Sequence, residues 1–286
     1  MQITKDNLTI IIVTIKSKDI IHNCLNSIEP DIKKIVIENS SDQKFIENLK
    51  NNYQNLECYL SGKNLGMGAG NNFGIKKSRT RYIMILNPDT VLKKNTLDEI
   101  FKISKNINFS IISPMSDNKE YPNYKTGFSK NQTTGDLIEV DRVDGYAMIL
   151  DTTKFDDLFF DEKIFMYLEN DDLCMRMKKK GEKIFVCKKS LITHLGAKTV
   201  DSQYSHEIEL SRNWHWSWSK FYFRKKHYGY LNSLLLNIFP FLKSILKCFF
   251  YLLLCRKNKF KIYLQRASGF FYSALNKRSW YRPSLD

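Results

Sequence analysis

Residues 64–92 read NLGMGAGNNFGIKKSRTRYIMILNPDTVL. Gly66, Gly68 and Gly70 stand among Asn64, Asn71 and Asn72, and the group reads as a polar turn leading into a basic helix. The apolar run Tyr82–Leu86 follows. It is short and continuous, as expected of a strand buried on both faces. It stops abruptly at Asn87-Pro88-Asp89. A buried strand that ends on an acid at a loop can hold a charged ligand or a metal. The glycines are not a dinucleotide fingerprint, because the third glycine of G-x-G-x-x-G would fall on Asn71 and the run follows the third predicted strand, not the first. There is no G-K-[ST] ending, which excludes a P-loop. Two readings of the glycines stay open: a plain flexible turn, or a turn that lets backbone approach a ligand while the asparagines supply hydrogen bonds.

Upstream, Leu8–Ile15 (LTIIIVTI) is a β-branched run that predicts a doubly buried strand ending near Thr14. Ile20, Ile21, Cys24, Leu25 and Ile28 recur at helical spacing. A second strand, KKIVIE, ends on Glu38 and the polar cluster Asn39-Ser40-Ser41-Asp42. A further helix (Phe45, Ile46, Leu49) and a strand over 56–60 complete a βαβαβ alternation, which favours an open α/β sheet. In such sheets ligands sit beyond the carboxyl ends of the strands, and Thr14, Glu38, Asn87 and Asp89 stand there.

Downstream, a helix opened by Asn95 and Asp98, with Leu97, Ile100, Phe101 and Ile107 on its apolar side, and a strand at 110–114 precede a long polar stretch, 115–141, that suits a lid or a surface excursion. Val143–Leu150 (VDGYAMIL) returns as a strand, and Gly145 within it marks a close approach by a ligand or another backbone. The run Tyr167-Leu-Glu-Asn-Asp-Asp-Leu-Cys-Met-Arg176 opens a helix with acids in its first turn and bases in its last. Capping plus an Asp172–Arg176 pair explains these acids structurally; a general base explains them functionally. Lys183–Cys187 reads as the last strand, followed by the lone His194 and by Lys198 and Thr199, which suit phosphate.

The chain has 286 residues and a net charge of +15. The charge is concentrated: residues 212–286 hold fifteen Lys or Arg and one acid, and the remainder is nearly neutral. A basic tail wants phosphates, on nucleic acid or on anionic lipid. The tail interleaves bases with Trp214, Trp216, Trp218 and further aromatics, then runs apolar over 234–255 with Pro240, Lys243 and Lys247 inside. That run decides for a membrane surface over nucleic acid, as an interfacial helix or helical hairpin, with a membrane span as the alternative. The six cysteines form no C-x-x-C pair, which suits free thiols in a reducing compartment. No signal peptide precedes the first apolar run, so the expected location is cytoplasmic, peripheral on the inner face of the plasma membrane.

The order LTIIIVTIKS, IENSSD, NLGMGAGNNFGI and ILNPDTVL resembles family 2 glycosyltransferases, especially their rhamnosyltransferase-like branch, over residues 8–200. The resemblance implies a GT-A nucleotide-sugar transferase fold, with a mixed, mainly parallel sheet flanked by helices. It implies a transferase domain over 1–211, divided near residue 92 into a nucleotide-binding half and an acceptor-binding half, before the tail at 212–286. It further implies an inverting, metal-dependent transfer of a sugar, rhamnose being one candidate, from a dTDP- or UDP-sugar to a glycan or lipid-linked acceptor in surface polysaccharide synthesis. Mg²⁺ or Mn²⁺ would be held by Asp89 and His194. The nucleotide would lie among Thr14, Glu38, Asn39, Asn64, Gly66, Gly68, Asn71, Asn87 and Asp89, with the donor sugar near Gly145. Glu38 stands where an aspartate is usual. The family's Glu-Asp-x-Asp-Leu appears here as Glu169-Asn170-Asp171-Asp172-Leu173, so an amide occupies the usual base position. The base role then moves to Asp171, with Asp172 and Glu169 as the other candidates. A binding protein that kept the fold and lost its base is the alternative.

Overall fold

In a computed structural model of the chain, the described residues are 2–126, 133–156, 158–196 and 204–283. They form two compact units: Met1–Asp161 with Asn170–Val200, and Glu162–Glu169 with Asp201–Asp286.

The first unit starts with the expected alternation: β1 (Leu8–Thr14), α1 (Ile21–Asn26), β2 (Lys33–Glu38), α2 (Gln43–Asn52), β3 (Leu56–Leu60), α3 (Gly66–Lys77) and β4 (Tyr82–Leu86). It continues with β5 (Thr90–Leu92), α4 (Thr96–Ser104), β6 (Ile111–Ser116), β7 (Tyr124–Lys125), β8 (Thr133–Thr134), β9 (Leu137–Glu139), β10 (Arg142–Val143), β11 (Ala147–Asp151), α5 (Glu169–Lys179) and β12 (Ile184–His194). The main sheet runs β3-β2-β1-β4-β11-β6-β12-β9-β8, with β5 also paired to β12. β1 to β4 are mutually parallel, whereas β11 runs antiparallel to both neighbours. Every residue of β1 and β4 is buried, which is why both read as unbroken apolar runs. Bidentate pairing of Arg81 with Asp151, at 2.9 and 2.7 Å, pins the start of β4 to the end of β11.

The glycine-rich stretch differs from its sequence reading. It is not a turn before a helix; the helix α3 begins at Gly66 itself. A Cβ on Gly70 would lie 2.9 Å from Val13 Cγ1, and one on Gly74 would lie 2.6 Å from Ile11 Cγ2. These glycines let the helix press onto β1. The strand at 183–187 also extends further than expected. β12 continues to His194 past an irregularity between Cys187 and Leu191, and its last residues pair with β5.

The second unit contains α6 (Ser205–Tyr228), α7 (Tyr230–Leu253) and α8 (Lys257–Ala274). Trp214 and Trp218 lie in its core, each donating its indole N–H: to Ser268 Oγ and to the Lys277 carbonyl, both at 3.1 Å. Much of the tail's aromatic content is therefore packing, and Trp216 is the exposed member of the trio. Residues 230–253 form one helix and not a hairpin. Pro240 has no N–H to offer the carbonyl four residues back, and Arg224 Nη1 donates to that Leu236 carbonyl at 3.0 Å instead. Among the described residues, α7 is the one helix long and apolar enough to cross a membrane, by length and composition. Its exposed face carries Leu235, Phe239, Leu242, Leu246, Phe249 and Leu253.

Candidate active site

The carboxyl ends of β1, β2 and β4 lie side by side in the sheet. Thr14 and Glu38 are register partners, both buried, and Thr14 Oγ1 donates to Glu38 Oε2 at 2.5 Å. Glu38 Oε1 accepts from the Ser40 N–H at 2.6 Å and from the Ser40 hydroxyl. Its carboxylate therefore shapes the β2 end from behind. Asn39 donates to the Gly66 carbonyl at 3.3 Å, and Asn64 Oδ1 accepts from the Gly66 N–H at 3.0 Å. Both side chains fix the start of α3. Asn72 is a further brace, exchanging two hydrogen bonds with the Phe160 backbone at 2.8 and 3.0 Å.

Four oxygens in this region are buried without a hydrogen-bond partner: Asn39 Oδ1, Asn71 Oδ1, Asn87 Oδ1 and Asp89 Oδ1. Buried polar atoms are nearly always satisfied, and each unmet one carries a desolvation penalty of about 1–3 kcal/mol. Asn39 and Asn87 follow the ends of β2 and β4 and Asn71 lies on α3, so three amide oxygens free to accept a hydrogen bond lie in the same region as the Asp89 carboxylate.

Asp89 is 2% exposed, and His194 Nε2 lies 3.3 Å from its Oδ1. The pairing of β12 with β5 makes this meeting, by setting His194 opposite Thr90. His194 stacks on Tyr146, with ring centroids 4.0 Å apart and planes within 5°. Burial above all pushes the Tyr146 phenol up to about 12. A carboxylate oxygen and an imidazole nitrogen this close supply two of the six donors of an octahedral cation, and the carboxylate suits Mg²⁺ or Mn²⁺. Among the described residues no third His, Cys, Asp or Glu joins them. The remaining ligands of a cation held there would come from a bound diphosphate or water. Lys198 and Thr199 lie outside the described residues.

The acids after Tyr167 divide. Asp171 pairs with Arg142, and Asp172 is fully buried and pairs with Arg176 at 2.9 Å. Glu169, the first residue of α5, belongs to the second unit. Tyr167 and Leu168, just before it, both hold left-handed backbone, at φ 69° and 68°. Asn170 donates to the Val143 carbonyl at 2.9 Å, and a Cβ on Gly145 would lie 3.2 Å from Asn170 Cβ. The close neighbour that keeps position 145 a glycine is thus this side chain.

Asp144 carries no motif signal, since it sits inside an apolar run. Its carboxyl makes no hydrogen bond or ion pair among the described residues. It lines a cleft of about 770 Å³ with Ser116, Tyr124, Tyr146 and His194. Loss of hydration, and then the Asp171 charge, hold its carboxyl above the usual carboxylate range. An acid interrupting VDGYAMIL beside its glycine was the available clue.

Residues 9–174 match the sequence model of Glycosyl transferase family 2. The chain belongs to glycosyltransferase family 2. Two relatives agree. The low-salt glycan biosynthesis hexosyltransferase Agl10 of Haloferax volcanii is 28% identical over 207 residues, 64% of this chain and 65% of that protein. The rhamnosyltransferase WbbL of Escherichia coli K12 is 27% identical over 207 residues, 61% of this chain and 78% of that one. The chain thus spans just under two thirds of the first relative's length. In fold, this family 2 member is similar to the mannosyltransferase PcManGT of Pyrobaculum calidifontis, solved with GDP-Man and Mn²⁺. The TM-score is 0.55 at 10% identity, covering 95% of this chain and 88% of that one. The architecture is accordingly GT-A.

Proposed function

We propose that this chain is an inverting glycosyltransferase that moves a sugar, with rhamnose a candidate, from a dTDP- or UDP-sugar to a glycan or lipid-linked acceptor in surface polysaccharide synthesis. The observation that carries this reading is the set of buried oxygens of Asn39, Asn87 and Asp89 beyond the ends of β2 and β4, and of Asn71 on α3, that have no hydrogen-bond donor in a family 2 fold. The nucleotide lies over Thr14, Asn39, Asn64 and the start of α3 at Gly66 and Gly68, with Glu38 supporting from behind. The donor sugar reaches toward Gly145. Asp89 and His194 would hold a divalent cation, which would supply positive charge opposite the departing diphosphate. The relation to a hexosyltransferase and a rhamnosyltransferase, and the Mn²⁺ in a structural neighbour's complex, support this reading.

Inversion in one step needs a base at the acceptor hydroxyl. To take a proton, Asp171 or Asp172 would give up its arginine. Asp144 gives up nothing, faces the cleft and stands beside Gly145, on which Asn170 packs. We assign the proton to Asp144. The acceptor oxygen releases it to the carboxylate and bonds to the anomeric carbon, while the pair of the sugar–phosphate bond leaves on the diphosphate. Substituting Asp144→Asn lowers kcat for transfer by about 10²–10⁴-fold with donor affinity kept. Asp171→Asn losing as much while Asp144→Asn stays active returns the base to the sequence-expected position. The reading as a transferase is tested by thermal shift with nucleotide sugars, with and without Mn²⁺. A donor should raise the melting temperature, and a flat response across dTDP- and UDP-sugars refutes it.

The basic unit formed by α6 to α8 docks on the anionic inner face of the plasma membrane, where a lipid-linked acceptor would be met. The charge of the tail and the exposed apolar face of α7 support this.

A further inference from the structure

The second unit contains a pocket of about 290 Å³ lined by residues of α6, α7 and α8. Four of its lining side chains are cations: Lys220 from α6, Lys243 and Lys247 from α7, and Arg266 from α8. No acid lines it, and none of the four has a carboxylate partner among the described residues. Neutral groups hold two of them: Lys247 Nζ donates to Tyr263 Oη at 2.9 Å, and Arg266 Nε to Asn213 Oδ1 at 2.5 Å. Ser217 and Ser244 add hydroxyls to the lining. Burial, then the nearby Arg224, lowers the Lys220 ammonium below its ordinary value, so its charge is held at a penalty that an anion would relieve.

Converging like charges repel, and a fold bears such a cluster most readily where an anion settles in it. The location narrows the anion. α7 supplies two of the cations and also exposes Phe239, Leu242 and Leu246, at 76, 47 and 69%. One helix therefore presents a cationic pocket and, on its outer side, a row of large apolar side chains. A free nucleotide has no use for that row. A lipid uses both, with its phosphate among the bases and its chains against the apolar side chains.

We propose that this pocket binds the phosphomonoester or diphosphate headgroup of a membrane lipid, with the lipid's chains along the outer face of α7. This rests on the membrane-docking reading above and sharpens it from a diffuse charge attraction to one site.

The test is flotation of the full chain with three kinds of vesicle: phosphatidylcholine alone, and with phosphatidylglycerol or phosphatidic acid added to equal surface charge. The phosphomonoester of phosphatidic acid should bind more tightly than the diester of phosphatidylglycerol, and the neutral vesicles least. Lys243→Gln with Lys247→Gln should weaken binding to phosphatidic acid by about thirtyfold, from roughly fivefold for each cation near the surface. Lys257→Gln with Lys261→Gln removes the same charge outside the pocket and should change it only a few-fold. Circular dichroism of both pairs verifies that the helices persist, and the single Lys243→Gln variant serves if the pair unfolds. Equal losses from the two pairs, or equal binding to the two anionic lipids, overturn the pocket and leave diffuse docking standing. Failure to float with any vesicle overturns docking as well. Soluble glycerol phosphate that stabilises the chain as strongly as the vesicles makes the ligand a free phosphate and refutes the lipid.

Discussion

Gly74→Ala tests the close packing between α3 and β1. In an exposed helix this change stabilises by about 1 kcal/mol, because Ala restricts the unfolded chain and suits the helix. Here the new methyl would lie 2.6 Å from Ile11 Cγ2 and 3.3 Å from Ile37 Cγ1. Carbon atoms in contact prefer about 3.5–4.0 Å, so something must move by roughly 1 Å. Ile11 is fully buried in β1, which is hydrogen-bonded on both sides to β2 and β4, and cannot withdraw. Overpacking of this kind costs about 1–3 kcal/mol. Set against the helix gain of about 1 kcal/mol, the net expectation is a loss of up to about 2 kcal/mol, read as a lower urea midpoint at unchanged slope. The displacement falls on the helix whose first turns carry Gly66 and Asn71, so donor KM should rise as well. A double-mutant cycle with Ile11→Ala isolates the contact. In that background Gly74→Ala should become neutral or stabilising, with a coupling above about 0.5 kcal/mol. If Gly74→Ala raises the urea midpoint in the otherwise unaltered chain, the close contact is wrong, and the glycine run returns to its reading as a flexible turn.

Two further outcomes bear on other parts of the molecule. Asp89→Asn removes the charge opposite His194 and should weaken Mn²⁺ binding in the presence of a nucleoside diphosphate by at least about tenfold, measured by calorimetry; unchanged metal affinity refutes the Asp89–His194 site. His215 is buried, with Nε2 2.9 Å from the Tyr281 carbonyl and Nδ1 3.2 Å from Ser279 Oγ. Burial chiefly, and the Arg282 charge, lower it from 6.5 to about 4, against the opposing pull of the Tyr281 carbonyl. Between those values the unfolded chain binds the proton and the folded one does not, so stability falls as pH drops from 6.5 toward 4. The full loss is on the order of 3 kcal/mol. Followed by tryptophan fluorescence, the pH dependence of unfolding should flatten across this window in His215→Gln, which keeps a donor for Tyr281 and cannot titrate; an unaltered slope refutes it.

The parallel half of the sheet was legible because burial on both faces leaves a local mark. β1, β2 and β4 are runs of apolar residues, and their ends at Thr14, Glu38 and Asn87 could be read directly. The glycine stretch was half legible. Its composition marked an unusual backbone, but spacing alone does not distinguish a turn from a helix whose Cβ atoms would strike a strand. That distinction depends on Ile11 and Val13, far away in sequence. Asn39, Asn64 and Asn72 were visible as polar groups, yet two of them brace α3 and one braces the Phe160 backbone. The packing role of the tail's aromatics was not legible for a similar reason. Trp214 and Trp218 at i, i+4 share one face of α6, and only the packing of α8 against it shows that this face is core.

The acidic run after Tyr167 shows what a motif leaves out. Its spacing identified a helix start rich in carboxylates and could not show which of them arginines hold. Arg176 is on the same helix as Asp172 and was legible at i, i+4; Arg142 meets Asp171 across the fold and was not. Asp144 and His194 depend on long-range pairing in the same way. A one-residue slip in a strand turns every side chain to the other face. His194 reaches Asp89 because β12 runs past its irregularity at Cys187–Leu191 and enters register with β5, a three-residue strand with no signal of its own. Thr14, Glu38 and Asn87 could be read along the chain because each closes a local strand. Asp144, just ahead of β11, and His194, at the end of β12, line one cleft, so the carboxylate to which the proton is assigned above could be placed there only after these pairings were known.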